Sequence, residues 1–545
     1  MHSKPIKAHR LRALAIAALA LFGLLPASGA SAVPAPVWQI LATSYATNFA
    51  PATTATQISG PGVKLFVRNV GAAPAGADFA ITYQLPPDLS FSPLVEPLAE
   101  YGPEHPLGAG GSKELPCETS GQTLACHGVE PINPGERIDV IIPLEVPAGA
   151  PASVNGEATV EGGGAVPVST ALETTVSSSP ATFGFTEGPS RAYGNVTDED
   201  GSVATQAGSH PYQLTVGMNL NDVAPHEAGD TLRVPGGGLR DVSGELPQGM
   251  VVNPGATPKC AETQLEGEAG CPRNSQIGLV RVPTVITGVP GEIYASLYNM
   301  VAPAGVPAEF GFEVLEGTYV HLLGRVRSDE DYELDADVRN APAKVGVLGS
   351  EVTLWGNPSD QSHDSVRDPC LKQGGIRVED SESHIKYLPC ETERLDTAFL
   401  TMPSSCTPEP LEGVFGISNW IGEEAEAGYP FTDLNGNPVG VDGCNQLAFE
   451  PTIEARPTTN LADSPSGLEF DLHQPQELKV DGRSTANLKD TTVTLPAGMA
   501  LNPSAGDGLE ACTPAQLGSD GSKPAKCPDA SKIGSVEAKT PLLEE

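Results

Sequence analysis

The stretch LPQGMVVNP begins at Leu246, and LPAGMALNP begins at Leu495, 249 residues later. Leu, Pro, Gly, Met, Asn and Pro recur in the same order, and the match continues. After Asn253–Pro254 comes Cys260 and then CPRNSQIGLV from Cys271. After Asn502–Pro503 comes Cys512 and then CPDASKIGSV from Cys527. The offset drifts from 249 to 256, as it does when loops carry the insertions. Such an internal repeat obliges the chain to be built from modules that fold alike. Within the phrase Pro fixes φ and Gly permits φ above zero, the chemistry of a strand end running into a tight turn. The copies differ in extent. The first runs on to the WGNP at Trp355–Pro358, whereas eleven residues follow Gly534 in the second. That shortness is expected of a piece of a longer protein, the alternative being a sheet left with an unpaired edge.

The cysteines constrain the modules further. All ten fall into five neighbouring couples: Cys117/Cys126, Cys260/Cys271, Cys370/Cys390, Cys406/Cys444 and Cys512/Cys527. Sequence cannot prove pairing, but an even number and this clustering favour five sequential disulfides, each worth about 2–4 kcal/mol if unstrained. Disulfides need an oxidising compartment, and the N-terminus supplies a route to one. Lys4, Lys7, Arg10 and Arg12 form a basic start to the apolar run LRALAIAALALFGLL, and the small residues ASA stand at 30–32. Residues 1–32 read as a secretory signal peptide, too short in its apolar part for a span of about 20 residues. Its loss would move the net charge from -37 to -41, a surface that repels phosphate backbones and argues against a nucleic-acid partner. No later segment reads as a membrane span.

Gly (60) and Pro (52) are frequent, which suits short strands joined by turns better than helices. At 545 residues the chain needs several cores. Residues 33–60 read as a loosely ordered leader of small residues. From Gly62 a period of two begins: Val63, Leu65 and Val67 face one way and Lys64 and Arg68 the other. In RIDVIIPLEV, Ile138, Val140, Ile142, Leu144 and Val146 alternate with Arg137, Asp139 and Glu145. About seven such strands over 61–178 suggest an Ig-like sandwich. The order VRNVGAAPAGADFAITYQLPPDLSF, CETSGQTLACHG, INPGERIDVIIPLEV, NGEATV resembles the β-sandwich "conserved repeat" family of bacterial surface proteins, of unknown function. That resemblance covers about 60–178. It implies a spacer or stalk unit and brings no catalytic residues.

STALETTVSSSPAT, from Ser169, reads as a linker. Beyond it, YQLTVGMNL, PAEFGFEV, YELDADV and SEVTLWGNP read as antiparallel strands with one wet face, giving a first module copy over 179–360. Tyr332, Leu334, Ala336 and Val338 would face inward and Glu333, Asp335 and Asp337 outward. Residues 361–448 read as a disulfide-pinned connector or small β subdomain, and 449–545 as an incomplete second copy. The series from AGSHPYQL through LWGNPSDQSHD, PSSC, GCNQLAFEP and SPSGLEFDLHQPQ to CPDASKIGSVEAKTPLL resembles a group of large exported actinobacterial proteins in which the same module is reiterated. No activity is assigned to that group.

Candidate chemistry is sparse. There is no G-x-S-x-G elbow, no H-E-x-x-H pair and no phosphate-cradling Gly loop with Lys. Ser, His and Asp are all present, but nothing in their spacing assigns a triad. His363, Asp364, Asp368, Cys370, His384 and Cys390 have zinc-ligand chemistry without zinc-site spacing, and read instead as a disulfide with surface histidines. TDEDGS at 197–202 and SDEDYELDAD at 328–337 have calcium's oxygens without an EF-hand pattern, and read as solvated acids. Trp355 and Trp420 read as core rather than as a glycan platform, and the sequon at Asn195 carries little weight in a bacterial chain. The fold class expected is all-β: an Ig-like sandwich followed by tandem disulfide-stapled antiparallel β-sandwich modules. The expected function is that of a non-catalytic spacer or adhesive protein of the cell surface or extracellular space. Its partner is an unidentified extracellular or cell-envelope one, and no catalytic, cofactor-binding or metal residue is assigned. The competing class is a secreted hydrolase or a glycan-binding accessory protein.

Overall fold

The alternating segments form strands, and the strands sort into three layers. The computed structural model describes residues 33–540 apart from 59, 102–112, 224–233, 236–237, 287–288, 316, 327–333, 342–345, 374, 380–384, 408, 501–506 and 518–524. The expected signal peptide, and His384, lie outside the described residues. The N-terminal sandwich uses β1 (Trp38–Tyr45), β2 (Gly62–Asn69), β3 (Phe79–Gln84), β4 (Leu98–Tyr101), β5 (Cys117–Ser120), β6 (Thr123–His127), β7 (Arg137–Val146), β8 (Ser153–Gly162) and β9 (Ala165–Thr175). One sheet runs β1–β2–β7–β4 and the other β9–β8–β3–β6–β5, all neighbours antiparallel. Two expectations fail here. The 33–60 segment is not a loose leader: Trp38–Tyr45 pairs along its whole length with β2. The Ser/Thr-rich "linker" supplies most of β9, because its Leu172 continues the inward alternation begun by Val168.

Between these sheets, Ile40, Val63, Leu65, Val67, Ile138, Val140 and Ile142 meet Phe79, Ile81, Tyr83, Leu124, Ala158 and Val160. Trp38 lies 5.2 Å from Phe79, ring centroid to centroid, and donates its indole N–H to the Gly162 carbonyl. The Cys117–Cys126 disulfide joins directly opposed residues of the β5–β6 hairpin.

The second body is one continuous sheet. Its strands are β10 (Ala192–Thr197), β11 (Gln213–Asn219), β12 (Leu239–Glu245), β13 (Gln276–Ile286), β14 (Val289–Asn299), β15 (Ala308–Leu315), β16 (Thr318–Val326), β17 (Leu334–Val338), β18 (Gly349–Trp355), β19 (Glu412–Asn419) and β20 (Glu424–Pro430). They follow the order β10–β11–β18–β13–β14–β15–β16–β17–β12–β19–β20, with the two-residue strand Gly346–Val347 beside β13. The sheet curls until its ends meet. Gly194 in β10 bridges Phe431, just after β20, in parallel, and the Thr432 N–H donates to the Gly194 carbonyl at 2.9 Å. A parallel seam is what an odd number of alternating strands requires on closing. Gly194 suits it because the Phe431 ring lies 2.8 Å from where a Cβ would stand. The region read as a connector, 361–448, thus contributes two barrel strands.

The third region, from about 449, carries one more hairpin, β21 (Thr452–Pro457) with β22 (Leu468–His473), and then irregular chain. Two short turns of helix punctuate it, at Pro514–Leu517 and Asp529–Ser531. The remaining disulfides are Cys260–Cys271, Cys370–Cys390, Cys406–Cys444 and Cys512–Cys527. Among the described residues no helix is long and apolar enough to cross a membrane.

Candidate functional site

The residues that alternate away from the sandwich core are the first unexpected feature. On β2 and β7, Lys64, Arg68, Arg137 and Asp139 occupy the face that the pattern assigns to solvent, yet the barrel wall covers them. Facing them from β10, β13, β14 and β18 are Tyr193, Arg281, Glu292, Tyr294 and Glu351, all buried. Lys64 Nζ donates to Glu292 Oε1 at 2.7 Å. Arg281 Nε stands 2.7 Å from Glu292 Oε2, and the Arg281 guanidinium lies 4.1 Å from the centre of the Phe66 ring. Arg68 Nη1 sits 3.2 Å from Glu351 Oε1 and donates to Thr353 Oγ1 at 2.9 Å, while Nη2 donates to Gln39 Oε1. Tyr193 donates its hydroxyl to Glu351 Oε2. Arg137 pairs with Asp139 at 3.0 Å and lies over the Tyr294 ring, and the Tyr294 hydroxyl donates to the Gly135 carbonyl. The sandwich side contributes three cations and one anion, the barrel side one cation and two anions, so the two faces are complementary.

Such a layer is held together by mutual neutralisation. Burial alone would raise the Asp139 carboxyl, but Lys64 and Arg137 outweigh it and hold it at about 2. Burial, and then the Glu351 charge, push the Tyr193 phenol far up, so it stays a donor. Removing one member of a desolvated ion pair typically costs about 3–5 kcal/mol, because the partner stays buried and unpaired. The sequence signal was present but ambiguous: a single charge inside an apolar strand, as Arg281 in IGLVRVPTVI, marks either a wet face or a covered one.

A second joint lies beside it. His363 is stacked on Trp355 at 4.2 Å and on Tyr212 at 5.0 Å, and Arg367 covers the other part of Trp355. The expected surface histidine is therefore buried, and desolvation, then Arg367, hold its pKa well below the ordinary value. Ser362 donates to Asp360, its hydroxyl meets Tyr212, and His363 Nδ1 lies 3.4 Å from the Tyr212 oxygen. Asp360 also accepts from the Ser362 N–H and so caps the short 3-10 helix that carries His363. Ser365 donates to the Pro134 carbonyl, which ties the segment to the sandwich. Cys370 and Cys390 are joined to each other, and Asp364 holds Arg367 at 2.8 Å.

The remaining candidates scatter. Trp355 is core, but Trp420 is half exposed at the β19–β20 turn, where its backbone N–H donates to the Gly238 carbonyl. Asn195 is buried and donates to Thr432. Asp198 is pushed up to about 6 by burial and then by Asp200. Asp200 is occupied by Ser202 in a local turn. Asp337 is not solvated: it is buried against Arg325 and Arg339. Among the described residues no three His, Cys, Asp or Glu side chains gather as metal ligands would.

The second unexpected feature is the barrel interior. Val216, Met218, Val242, Leu246, Val280, Val282, Leu297, Phe310, Phe312, Val320, Leu322, Leu334, Ala336, Val338, Val352, Leu354, Phe415 and Tyr429 surround a cavity of about 190 Å³. Apolar side chains face inward, the reverse of a membrane-spanning barrel. Native interiors seldom leave an apolar space of this size unfilled.

No protein-family model matches the sequence, and no characterised protein matches it. Among solved structures the chain is similar to the major pilin subunit BcpA of Bacillus cereus, at 9% identity and a TM-score of 0.18, covering 67% of this chain and 65% of the pilin. It is similar to the collagen adhesin CNA of S. aureus, at 9% identity and 0.16, covering 82% and 99%. It is also similar to AvmM, which catalyses macrocyclization in alchivemycin A biosynthesis, at 10% identity and 0.17, covering 28% and 93%. At these scores the likenesses carry no functional weight.

Proposed function

We propose that the chain is an exported, non-catalytic structural or adhesive element of the cell surface or extracellular space, in which sandwich and barrel act as one stiff unit. The observation that carries this reading is the buried charge layer. Domains that hinge need faces that wet and re-wet cheaply. Arg68, Lys64, Glu292 and Glu351 have given up water and found partners across the boundary, so separating the domains strands charges on both sides. Stiffness across a domain boundary is what a spacer needs in order to hold one end at a distance.

Five disulfides fit an oxidising compartment. A net charge of -37 keeps such an array soluble and discourages non-specific association. The resemblance of 60–178 to bacterial surface repeats, and of 180–545 to reiterated exported modules, points the same way. The test is small-angle scattering on the intact chain and on the Lys64→Ala/Arg68→Ala double variant. In the native chain the sandwich and barrel should scatter as one rigid body. The variant should show a larger radius of gyration and new proteolytic cleavage near residues 176–190. Scattering and cleavage identical to the native chain would sink the stiff-unit reading.

A further inference from the structure

We propose that the barrel lumen is a binding site for one linear aliphatic chain, the acyl tail of an amphiphile. The lining follows the strand period: Val320 and Leu322 on β16, Leu334, Ala336 and Val338 on β17, Val352 and Leu354 on β18, Val280 and Val282 on β13. These positions point inward, yet Val242, Leu246, Leu322, Leu334, Val338 and Val352 are only half-buried, which means the interior side chains do not close on one another. The sandwich core, made of the same residue types, has Ile138, Val140, Ile142 and Leu65 wholly buried. An apolar cavity near 150 Å³ stays dry and accepts a benzene-sized guest, so about 190 Å³ has room for more.

Shape selects the guest. The lining on β12 alone runs from Leu239 to Glu245, a rise of about 20 Å along the strand. A volume that small spread over that length is a bore, which fits an extended hydrocarbon chain and not a fused ring system. The bore is widest in side-chain terms at one end, where Gly244, Gly324, Ala308 and Ala336 line it. The charges nearest the bore are at that same end, outside it. Glu245 and Arg325 both stand opposite Asp335 in the strand register, and because they alternate with the inward Gly244, Gly324 and Ala336, all three belong to the outer face of the wall. An apolar bore whose nearest charges lie outside one end fits an apolar tail that runs in from a polar head.

The probe is cis-parinaric acid, a fatty acid whose fluorescence rises out of water, titrated into the intact chain. Saturable enhancement at one equivalent, displaced by palmitate and not by 1-naphthol, is the expected result. Ala336→Phe, and Val352→Phe on the far side of the barrel, each place a ring in the bore. Either should weaken binding at least tenfold with the circular dichroism melt retained. Transfer of the same acyl chain from phosphatidylcholine vesicles would identify a membrane lipid as the source, and uptake of the free acid alone would identify a free fatty acid. No saturable enhancement, or equal binding by both folded variants, overturns the proposal. Should both variants misfold, the displacement series decides: displacement by 1-naphthol but not palmitate overturns the linear-chain assignment.

Discussion

The two copies of the repeated phrase have the same local structure and opposite fates. In both, the Met N–H donates to the Pro carbonyl across the turn, Met250 to Pro247 and Met499 to Pro496, each at 3.1 Å. Gly249 and Gly498 both take positive φ, 81° and 94°. A Gln side chain accepts from the backbone three residues before it, Gln264 from Ala261 and Gln516 from Thr513, and opens a single helical turn. Ser275 and Ser531 close matching 3-10 turns on Pro272 and Pro528. Both loops carry a disulfide. Even the preceding hairpins correspond in order, β10–β11 in the first copy and β21–β22 in the second.

Then they part. Ile277 is 0% exposed and its counterpart Ile533 is 91%; Val280 is 1% and Val536 is 96%; Met250 is 3% and Met499 is 40%. The cause is long-range. In the first copy β13 is flanked by β14 and β18, and β18 also seats β11. The second copy has no strands in those roles among the described residues, and its hairpin and stapled loop stay largely exposed. Turns, caps and staples are written in neighbouring residues, whereas a buried strand is written by its partners. A lone two-stranded hairpin is marginal in water.

The comparison breaks or sharpens under substitution. Ile277→Ala should cost about 2–5 kcal/mol in chemical denaturation, while Ile533→Ala should stay within about 0.5 kcal/mol. Equal losses would mean that the second copy has a core of its own. Replacing Cys260 and Cys271 together by Ala should lower the barrel transition by about 2–4 kcal/mol. The Cys512/Cys527 double replacement should leave that transition in place, and non-reducing mass spectrometry should find all five sequential bridges in the native chain.

Acid separates the copies in a further way. Asp139 is held at about 2 against an ordinary 3.8, so its contribution is complete above about pH 4 and is lost as pH falls through about 2. His363 is depressed below 6.5, so the unfolded chain binds the extra proton first, and stability declines as pH drops below 6.5. A pH series followed by tryptophan fluorescence should therefore show the sandwich–barrel body weakening in these windows, and Asp139→Asn should abolish the lower one. The smallest effect concerns the shared turn. Gly249→Ala should cost about 1–2 kcal/mol for its left-handed backbone, and Gly498→Ala should leave the barrel's melting unchanged.

Much of this was legible. The alternation in Gly62–Asn69 and Arg137–Val146 gave strands and the correct inward faces, because period two is a local property. The outward faces misled. Lys64, Arg68, Arg137 and Asp139 look solvated in sequence, and only the barrel wall, supplied more than a hundred residues later, buries them. Barrel closure was hidden for the same reason, since Gly194 and Phe431 meet across 237 residues. Trp420 and His363 depart from expectation in opposite directions, the ring exposed at a hairpin tip and the imidazole buried between two aromatic faces. The lumen had a faint signal in Gly244, Gly324 and Ala336 at inward positions, which becomes readable once the strands are known to face one another.

Hydrogen exchange on the intact chain, read by mass spectrometry, tests the contrast most directly. Amides of Ile277–Val282 should be protected to the level of global unfolding, and those of Ile533–Val536 should exchange at close to the rate of free peptide. Comparable protection of both segments would contradict the claim that partner strands, and not the repeated words themselves, make the core.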